Sequence, residues 1–414
     1  MANDTPTFIS GIRASDNFEA NERPKNFREA ILWLDPNGMT PLTALSAKMR
    51  SESTDDPEFS WWEEILDAKR AILLTASGTE TAGATTTVTV AASTPTVVNP
   101  SLQFKPGDLI QILDVSVGQP AAYSSGAEIA EVLTVTGPDS MTIKRGVAGT
   151  PAAIEDGVDT ILLVGSAYME GSSSPDTRAS QPKKTHNYTQ IFKTAFQLTN
   201  TAKNTRYRTG DPWENDRKRA MFAHSEAMEQ AFFWGNRNEV SGTSEPQRLM
   251  GGLRFFFESN VNVNVGAVTE DFFLDTVSSL FNYNAGGAGD QRICFIGNAA
   301  LNAFQKAIRD SNGVRITYNG AVKFYGMKLL EFQIPQGTFF LKSHPFLNTD
   351  PVYNKSMFVT NGRGIIRRPL KNRDTKIQQN IQANDADLRK DQWLTEIGME
   401  LQFERTQGYF GGIV

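Results

Sequence analysis

From Asn187 to Leu198 apolar and polar positions alternate, and Tyr188, Phe192, Phe196 and Leu198 share one face of a predicted strand. The pattern then changes to a helical period. Asp211-Pro212-Trp213-Glu214 supplies an N-cap, a proline at the first helical position and an acidic residue three positions after the cap. Met221, His224, Ala227, Met228, Ala231 and Phe232 follow on one largely apolar stripe. The spacing predicts a single helix over 211–235, about 35 Å long at ~1.5 Å per residue.

Upstream, Phe59-Ser60-Trp61-Trp62-Glu63-Glu64-Ile65-Leu66 reads as an aromatic strand. Adjacent tryptophans on a strand point to opposite faces, so both faces should be covered, by ordinary core packing or by a second subunit. Residues 75–95 are rich in Thr, Ala, Ser and Gly and read as a weak linker. Short alternating runs follow at Val88–Val90, Leu109–Leu113, Ile129–Val135, Met141–Lys144 and Ile161–Val164. Between them lie the turns Pro106-Gly107-Asp108 and Gly137-Pro138-Asp139. Such a series predicts a small β-barrel or sandwich, and a second weak stretch, Gly171–Pro175, leads out of it.

After the glycine turn Leu249-Met250-Gly251-Gly252-Leu253, helices and strands are mixed. Helices are predicted over 272–281 and 299–309, and strands around Cys294 and at 322–324, 327–330, 338–341 and 356–359. The segment Thr395–Arg405 alternates as a strand, with Ile397, Met399, Leu401 and Phe403 on one face. The last residues, Tyr409–Val414, are apolar and should dock. At the other end, Phe8, Ile9, Ile12 and Phe18 stand isolated among polar residues, the pattern of an arm that gains order only on another surface. Helical pieces around Phe27–Leu34 and Pro41–Leu45 continue it.

The chain has 414 residues, enough for roughly two to four domains. A net charge of -5 argues against a nucleic-acid binder that works by a whole-surface basic field. The single cysteine, Cys294, excludes a disulfide within the chain, fits a reducing cytoplasm, and reads as a small buried apolar residue. Neither a signal pattern nor an apolar stretch of ~18 residues is present, so no membrane partner is expected. His186, His224 and His344 lie far apart, without metal-ligand companions, and His224 reads as a packed, hydrogen-bonded residue. No Walker loop, nucleophile elbow or dinucleotide fingerprint occurs. The glycines of Ala285–Asp290 precede a strand and read as a turn. No catalytic residue, cofactor or metal is predicted. Arg363, Arg367, Arg368, Lys371 and Arg373 form one basic cluster, open to phosphates or to acidic groups of a neighbouring subunit such as Glu226 and Glu229. The second is preferred, because no aromatic residue is interleaved for base stacking.

The order of these motifs resembles the major capsid proteins of tailed bacteriophages, with the Hong Kong ninety-seven type fold. The motifs are Pro41-Leu42-Thr43, Phe59–Glu64, Asn187–Phe192, the long helix, Met250-Gly251-Gly252-Leu253 and Trp393-Leu394-Thr395-Glu396. The resemblance implies an α+β chain with an N-terminal arm (1–58) and an extended loop (59–85 and 165–200) carrying an inserted β-rich domain (86–164). It further implies a peripheral domain (201–249 and 355–414) with a spine helix at 211–235, and an axial domain (250–354). The implied function is self-assembly into hexamers and pentamers of an icosahedral shell enclosing double-stranded DNA, contacted non-specifically. Portal, scaffolding and decoration proteins are the implied further partners. The implied location is the virion capsid, assembled in the host bacterial cytoplasm. Trp61, Trp62, Glu63, Arg363, Arg367, Arg368 and Arg373 are the expected subunit-interface residues. The alternative is another virion structural protein, such as a tail or adhesion component. No internal repeat of the kind a tail fibre needs is visible.

Overall fold

Asp211 starts the long helix as its composition predicts. Its carboxylate accepts a hydrogen bond from Trp213 N (2.9 Å), and the helix runs Pro212–Trp234 in the computed structural model of the chain. That structure describes residues 50–64, 69–77, 82–92, 99–114, 119–120, 128–151, 154–175, 177, 179, 181–207, 210–240, 245–268, 272, 276–283, 291–310, 317–324, 327–334 and 336–414. The arm up to residue 49, with its helical pieces, the glycines 286, 287 and 289, and most of the predicted helix 272–281 lie outside the described residues. What is described of that helix ends in a 3-10 turn, Val277–Phe281.

The chain divides into two units, Trp62–Lys183 and the remainder, Met1–Trp61 with Lys184–Val414. In the larger unit the long helix lies on a four-stranded antiparallel sheet. Gln190–Thr199 pairs with Leu388–Leu401, which also pairs with Ile365–Pro369 and with Lys376–Gln378. The register sets Gln190 opposite Ile397 and Thr199 opposite Leu388. Phe192 and Phe196 point to the helix, where they meet His224 and Trp213 at ring separations of 6.4 and 4.8 Å. The helix stripe differs from expectation: Ala227 is exposed, and Ala220, Glu229 and Phe233, outside the expected stripe, are buried. The C-terminal strand buries both faces from Leu394 to Leu401, and it stops earlier than its alternation predicts. Phe403 takes the left-handed backbone conformation (φ 59°), which turns the chain out of the sheet and leaves its ring partly exposed.

A seven-stranded mixed sheet completes this unit. Its order is Val261–Asn262, Gly408–Phe410, Met357–Thr360, Gln291–Ile296, Gly337–Ser343, Met327–Ile334, Thr317–Phe324. The central strand Gln291–Ile296 runs parallel to Gly337–Ser343 and antiparallel to Met357–Thr360, and its residues from Arg292 to Ile296 are all buried. Covering on both faces explains why this run is continuously apolar after Arg292. Helix Asn298–Asp310 packs Ala300, Ala303 and Phe304 into the same core as Cys294, Ile296, Phe339 and Phe410. The apolar C-terminal residues dock as expected, with Phe410 and Ile413 buried.

The smaller unit is a closed six-stranded barrel. Asp108–Asp114, Ile129–Val135, Ser140–Ala148, Thr85–Ala92, Arg70–Ser77 and Thr160–Ser166 pair in that order, and Thr160–Ser166 returns to Asp108–Asp114. Closure leaves no free edge among these strands. Leu73, Val88, Val90, Ile110, Ile112, Val132, Met141, Ile143 and Ile161 fill it. The first strand, Arg70–Ser77, begins ahead of Thr86 and takes in part of the stretch that composition reads as a linker. Ala71 and Leu73 face inward there.

Candidate subunit interface

Three groups of residues bear on the expected subunit contacts. The first is the aromatic strand Glu58–Glu63, which pairs with Lys183–Tyr188 as a two-stranded ribbon. Phe59 and Trp61 are buried in the larger unit, stacked at 6.2 Å, and Trp61 lies 5.7 Å from the Phe256 ring. Trp62 points the other way and is 63% exposed, while Glu63 is half-buried. Within a single chain the second face of this strand is therefore uncovered at its largest side chain.

The second group anchors the ribbon. The Asn187 amide donates to Met399 O (2.6 Å) and Gly251 O (3.0 Å), and its oxygen accepts from Gly251 N (2.7 Å) and Tyr188 N (2.9 Å). One side chain thus ties the returning chain to the glycine turn and to the C-terminal strand. Gly252 makes the turn possible by close approach: a Cβ there would lie 2.6 Å from Ala231 O and 2.8 Å from Phe232 O.

The third group is the basic cluster, and the structure gives most of it partners inside the chain. Arg367 meets Asp374 (2.5 Å), Arg368 meets Glu400 (2.5 Å) and Glu52 (2.8 Å), and Arg373 pairs with Glu396. Arg368 also lies 6.0 Å over the Phe59 ring. These pairs fasten the segment after Arg50, which runs parallel to Ile365–Pro369 through Glu52 N to Arg367 O (3.0 Å) and Thr54 N to Pro369 O (2.9 Å). Arg363 and Lys371 are exposed.

Glu229 corrects the expectation that it meets a neighbour's arginines. It is buried, and His344 Nε2 lies 2.9 Å from its Oε1. Phe346 N donates to His344 Nδ1 (3.3 Å), which leaves Nε2 as the protonated nitrogen facing the carboxylate. Phe233 and Phe295 enclose the imidazole. The periodicity gave no sign of this pair, because its two members are 115 positions apart. Arg292 was missed for the same reason. Its guanidinium is buried and donates to the carbonyls of Leu280 (2.9 Å), 12 positions away, and Thr406 (3.1 Å), 114 positions away.

The remaining titratable candidates are shifted by their surroundings. His224 is buried between Thr194 Oγ1 (3.1 Å) and Thr395 Oγ1 (2.8 Å), and burial lowers its pKa. Burial, and then the charge of Arg237, lowers that of His186. Cys294 is fully buried, and desolvation holds its thiol well above the usual range. Among the described residues no group of three or more His, Cys, Asp or Glu is placed to hold a metal ion. No described helix is long and apolar enough to cross a membrane.

The family model described as the SU10 major capsid protein matches residues 7–413. The chain belongs to this family. A curated relative, the major capsid protein of Pseudomonas phage PaMx41, is 25% identical over 332 residues, which cover 78% of this chain and 73% of the relative. Among solved structures, the capsid of Myoviridae phage XM1 matches at a TM-score of 0.45 and 9% identity, covering 98% of this chain and 100% of that one. The capsid of cyanophage A-1(L) matches at 0.43 and 10% identity, covering 97% and 98%. Membership of the SU10 family makes the chain a major capsid protein, a structural component of a phage virion, and decides against the tail or adhesion component. It also fits an α+β chain that carries a small closed barrel.

Proposed function

We propose that copies of this SU10-family chain close into hexamers and pentamers of an icosahedral shell around double-stranded DNA, assembled in the host bacterial cytoplasm. In this reading residues 1–58 are the arm, and the extended loop leaves at 59 and returns by 200 around the inserted domain expected at 86–164, which takes in the strand Arg70–Ser77 as well. Residues 201–249 and 355–414 are the peripheral domain on its spine helix, and 250–354 the axial domain. Neighbouring subunits meet through the strand that carries Trp61, Trp62 and Glu63, and beside Arg363, Arg367, Arg368 and Arg373. Portal, scaffolding and decoration proteins and the phosphates of the packaged DNA are its other partners, and it performs no catalysis.

The observation that carries this reading is Trp62. Its strand is ordered and its opposite face is buried, yet the indole stands 63% exposed. Covering such a ring stabilises a contact by about 1.5–3 kcal/mol. Repeated around a closed ring, many modest contacts sum to a durable particle. The fastening of residues 50–54 to the sheet edge adds a fixed base from which the arm departs. Ordering that arm on the monomer alone would cost ~1–2 kcal/mol per residue in backbone entropy, which favours ordering within an assembly. Deletion of residues 2–24 tests the arm's part in this. The truncated chain is expected to keep the melting temperature of the full chain and to yield few shells. Normal shells from it would contradict the role given to the arm.

A further inference from the structure

The turn after the last barrel strand presents an exposed apolar side chain on a rigid base. Met169 is 85% exposed, yet Ser172 N donates to Met169 O (3.1 Å) and Gly171 takes φ 77°, so the turn is a hydrogen-bonded one that needs its glycine. Tyr168 is held just before it: a Cβ on Gly107 would lie 2.5 Å from the Tyr168 ring, and Gly107 itself has φ 85°. Glu170 follows, exposed. An exposed methionine on a hydrogen-bonded turn, between a tyrosine and a carboxylate, has the form of a plug.

The larger unit carries a cleft of the opposite character. About 530 Å³ in volume, it is lined by Arg254, Val263, Val352, Tyr353, Lys355 and Tyr409 among others, and no lining residue is acidic. Val352 is 68% exposed and Val263 53%, while Arg254 is held in place 5.2 Å over the Tyr409 ring. Two apolar side chains beside two cations match a methionine followed by a carboxylate.

We infer that the Tyr168-Met169-Glu170 turn of one copy seats in the Arg254–Lys355 cleft of a second copy, Met169 against Val263 and Val352, and Glu170 beside Arg254 and Lys355. The inference rests on the shell reading above. The two surfaces differ, so the contact is heterologous and propagates from copy to copy around a ring rather than closing as a pair. No charge is buried alone, because the one carboxylate meets the two cations at the rim.

Cysteine trapping tests this directly, since Cys294 is buried and contributes little background. Shells of the full chain carrying Met169→Cys with Val352→Cys are treated with copper phenanthroline, which oxidises the two thiols to a disulfide. The expected result is a ladder of linked chains on denaturing gels, absent from each single variant. Intact shells with no ladder, or a linked product confined to single chains, would overturn the inference while leaving the shell reading untouched. Failure of the unsubstituted chain to form shells would instead remove that reading. Independently, Met169→Asp is expected to raise the protein concentration needed for assembly by about tenfold, with an unchanged melting temperature. Unchanged assembly would count against the plug.

Discussion

The side-chain amide of Asn187 grips the peptide of Gly251 from both sides, donating to its carbonyl at 3.0 Å and accepting from its N–H at 2.7 Å. With the further bond to Met399 O, three parts of the chain far apart in sequence converge on one buried residue. The ribbon that carries Trp62 continues directly into this residue, so the Trp62 strand and the core share an anchor.

Replacing Asn187 by Ala leaves the Gly251 peptide and the Met399 carbonyl without their buried partner. The expected loss is about 2–4 kcal/mol, from the desolvation cost of several unpaired groups. Urea denaturation followed by tryptophan fluorescence reads it. Asn187→Asp should be no better, because its second oxygen would face two carbonyls. A midpoint unchanged by Asn187→Ala would refute the anchor.

Trp61 and Trp62 should behave oppositely. Trp61→Ala opens a cavity beside Phe59 and Phe256 and is expected to cost about 3–5 kcal/mol of folding stability. Trp62→Ala should leave the melting curve of the monomer within about 0.5 kcal/mol, since it removes an exposed side chain, and should lower the yield of assembled particles. Equal effects of the two variants on melting would contradict the assignment of faces.

Stability should depend on pH through His224. Burial depresses its pKa, so the folded chain prefers neutral imidazole while the unfolded chain takes up a proton near the ordinary value of 6.5. The unfolded state therefore binds more protons as pH falls. The contribution is fully present above pH 6.5 and is lost as pH drops through the lowered folded-state value. His186 is shifted in the same direction and adds to the slope. His224→Gln should flatten the profile below pH 6.5. An unchanged slope would assign the dependence elsewhere.

Two glycines separate crowding from backbone strain. Gly252→Ala forces a methyl group against Ala231 O and Phe232 O, and is expected to cost at least about 2 kcal/mol. Gly83 has φ 80° but open space around its missing Cβ, so Gly83→Ala should cost about 1 kcal/mol, from conformation alone. Thermal melts of both variants compare the two costs directly, and the reverse order would contradict the packing at the glycine turn.

Much of this fold was legible because the signals are local. The cap, proline and stripe of the long helix lie within a few turns of one another, and the barrel strands from Leu109 onward declare themselves by alternation and glycine turns. Arg70–Ser77 escaped because its inward residues Ala71 and Leu73 are followed by small polar ones, and composition cannot distinguish a barrel wall from a linker. Phe403 continues the alternation of its strand perfectly in sequence, and only the geometry of the turn it enters removes it. The pairing of the basic cluster was less legible than the fold. Arginines 367, 368 and 373 cluster locally, and Asp374, which engages Arg367, is close in sequence, but the carboxylates that engage Arg368 and Arg373, at positions 52, 396 and 400, come from other parts of the chain. Charge spacing identifies such a cluster without revealing what neutralises it. Trp61 and Trp62 were legible as two opposite faces of one strand, but alternation alone does not say whether the chain's own core or a second subunit covers each face.

Negative-stain electron microscopy of the purified, expressed chain tests the central claim most directly. The account predicts closed particles whose averaged views resolve sixfold and fivefold rings of one subunit. Material that remains monomeric at high concentration, with neither rings nor particles, would contradict it.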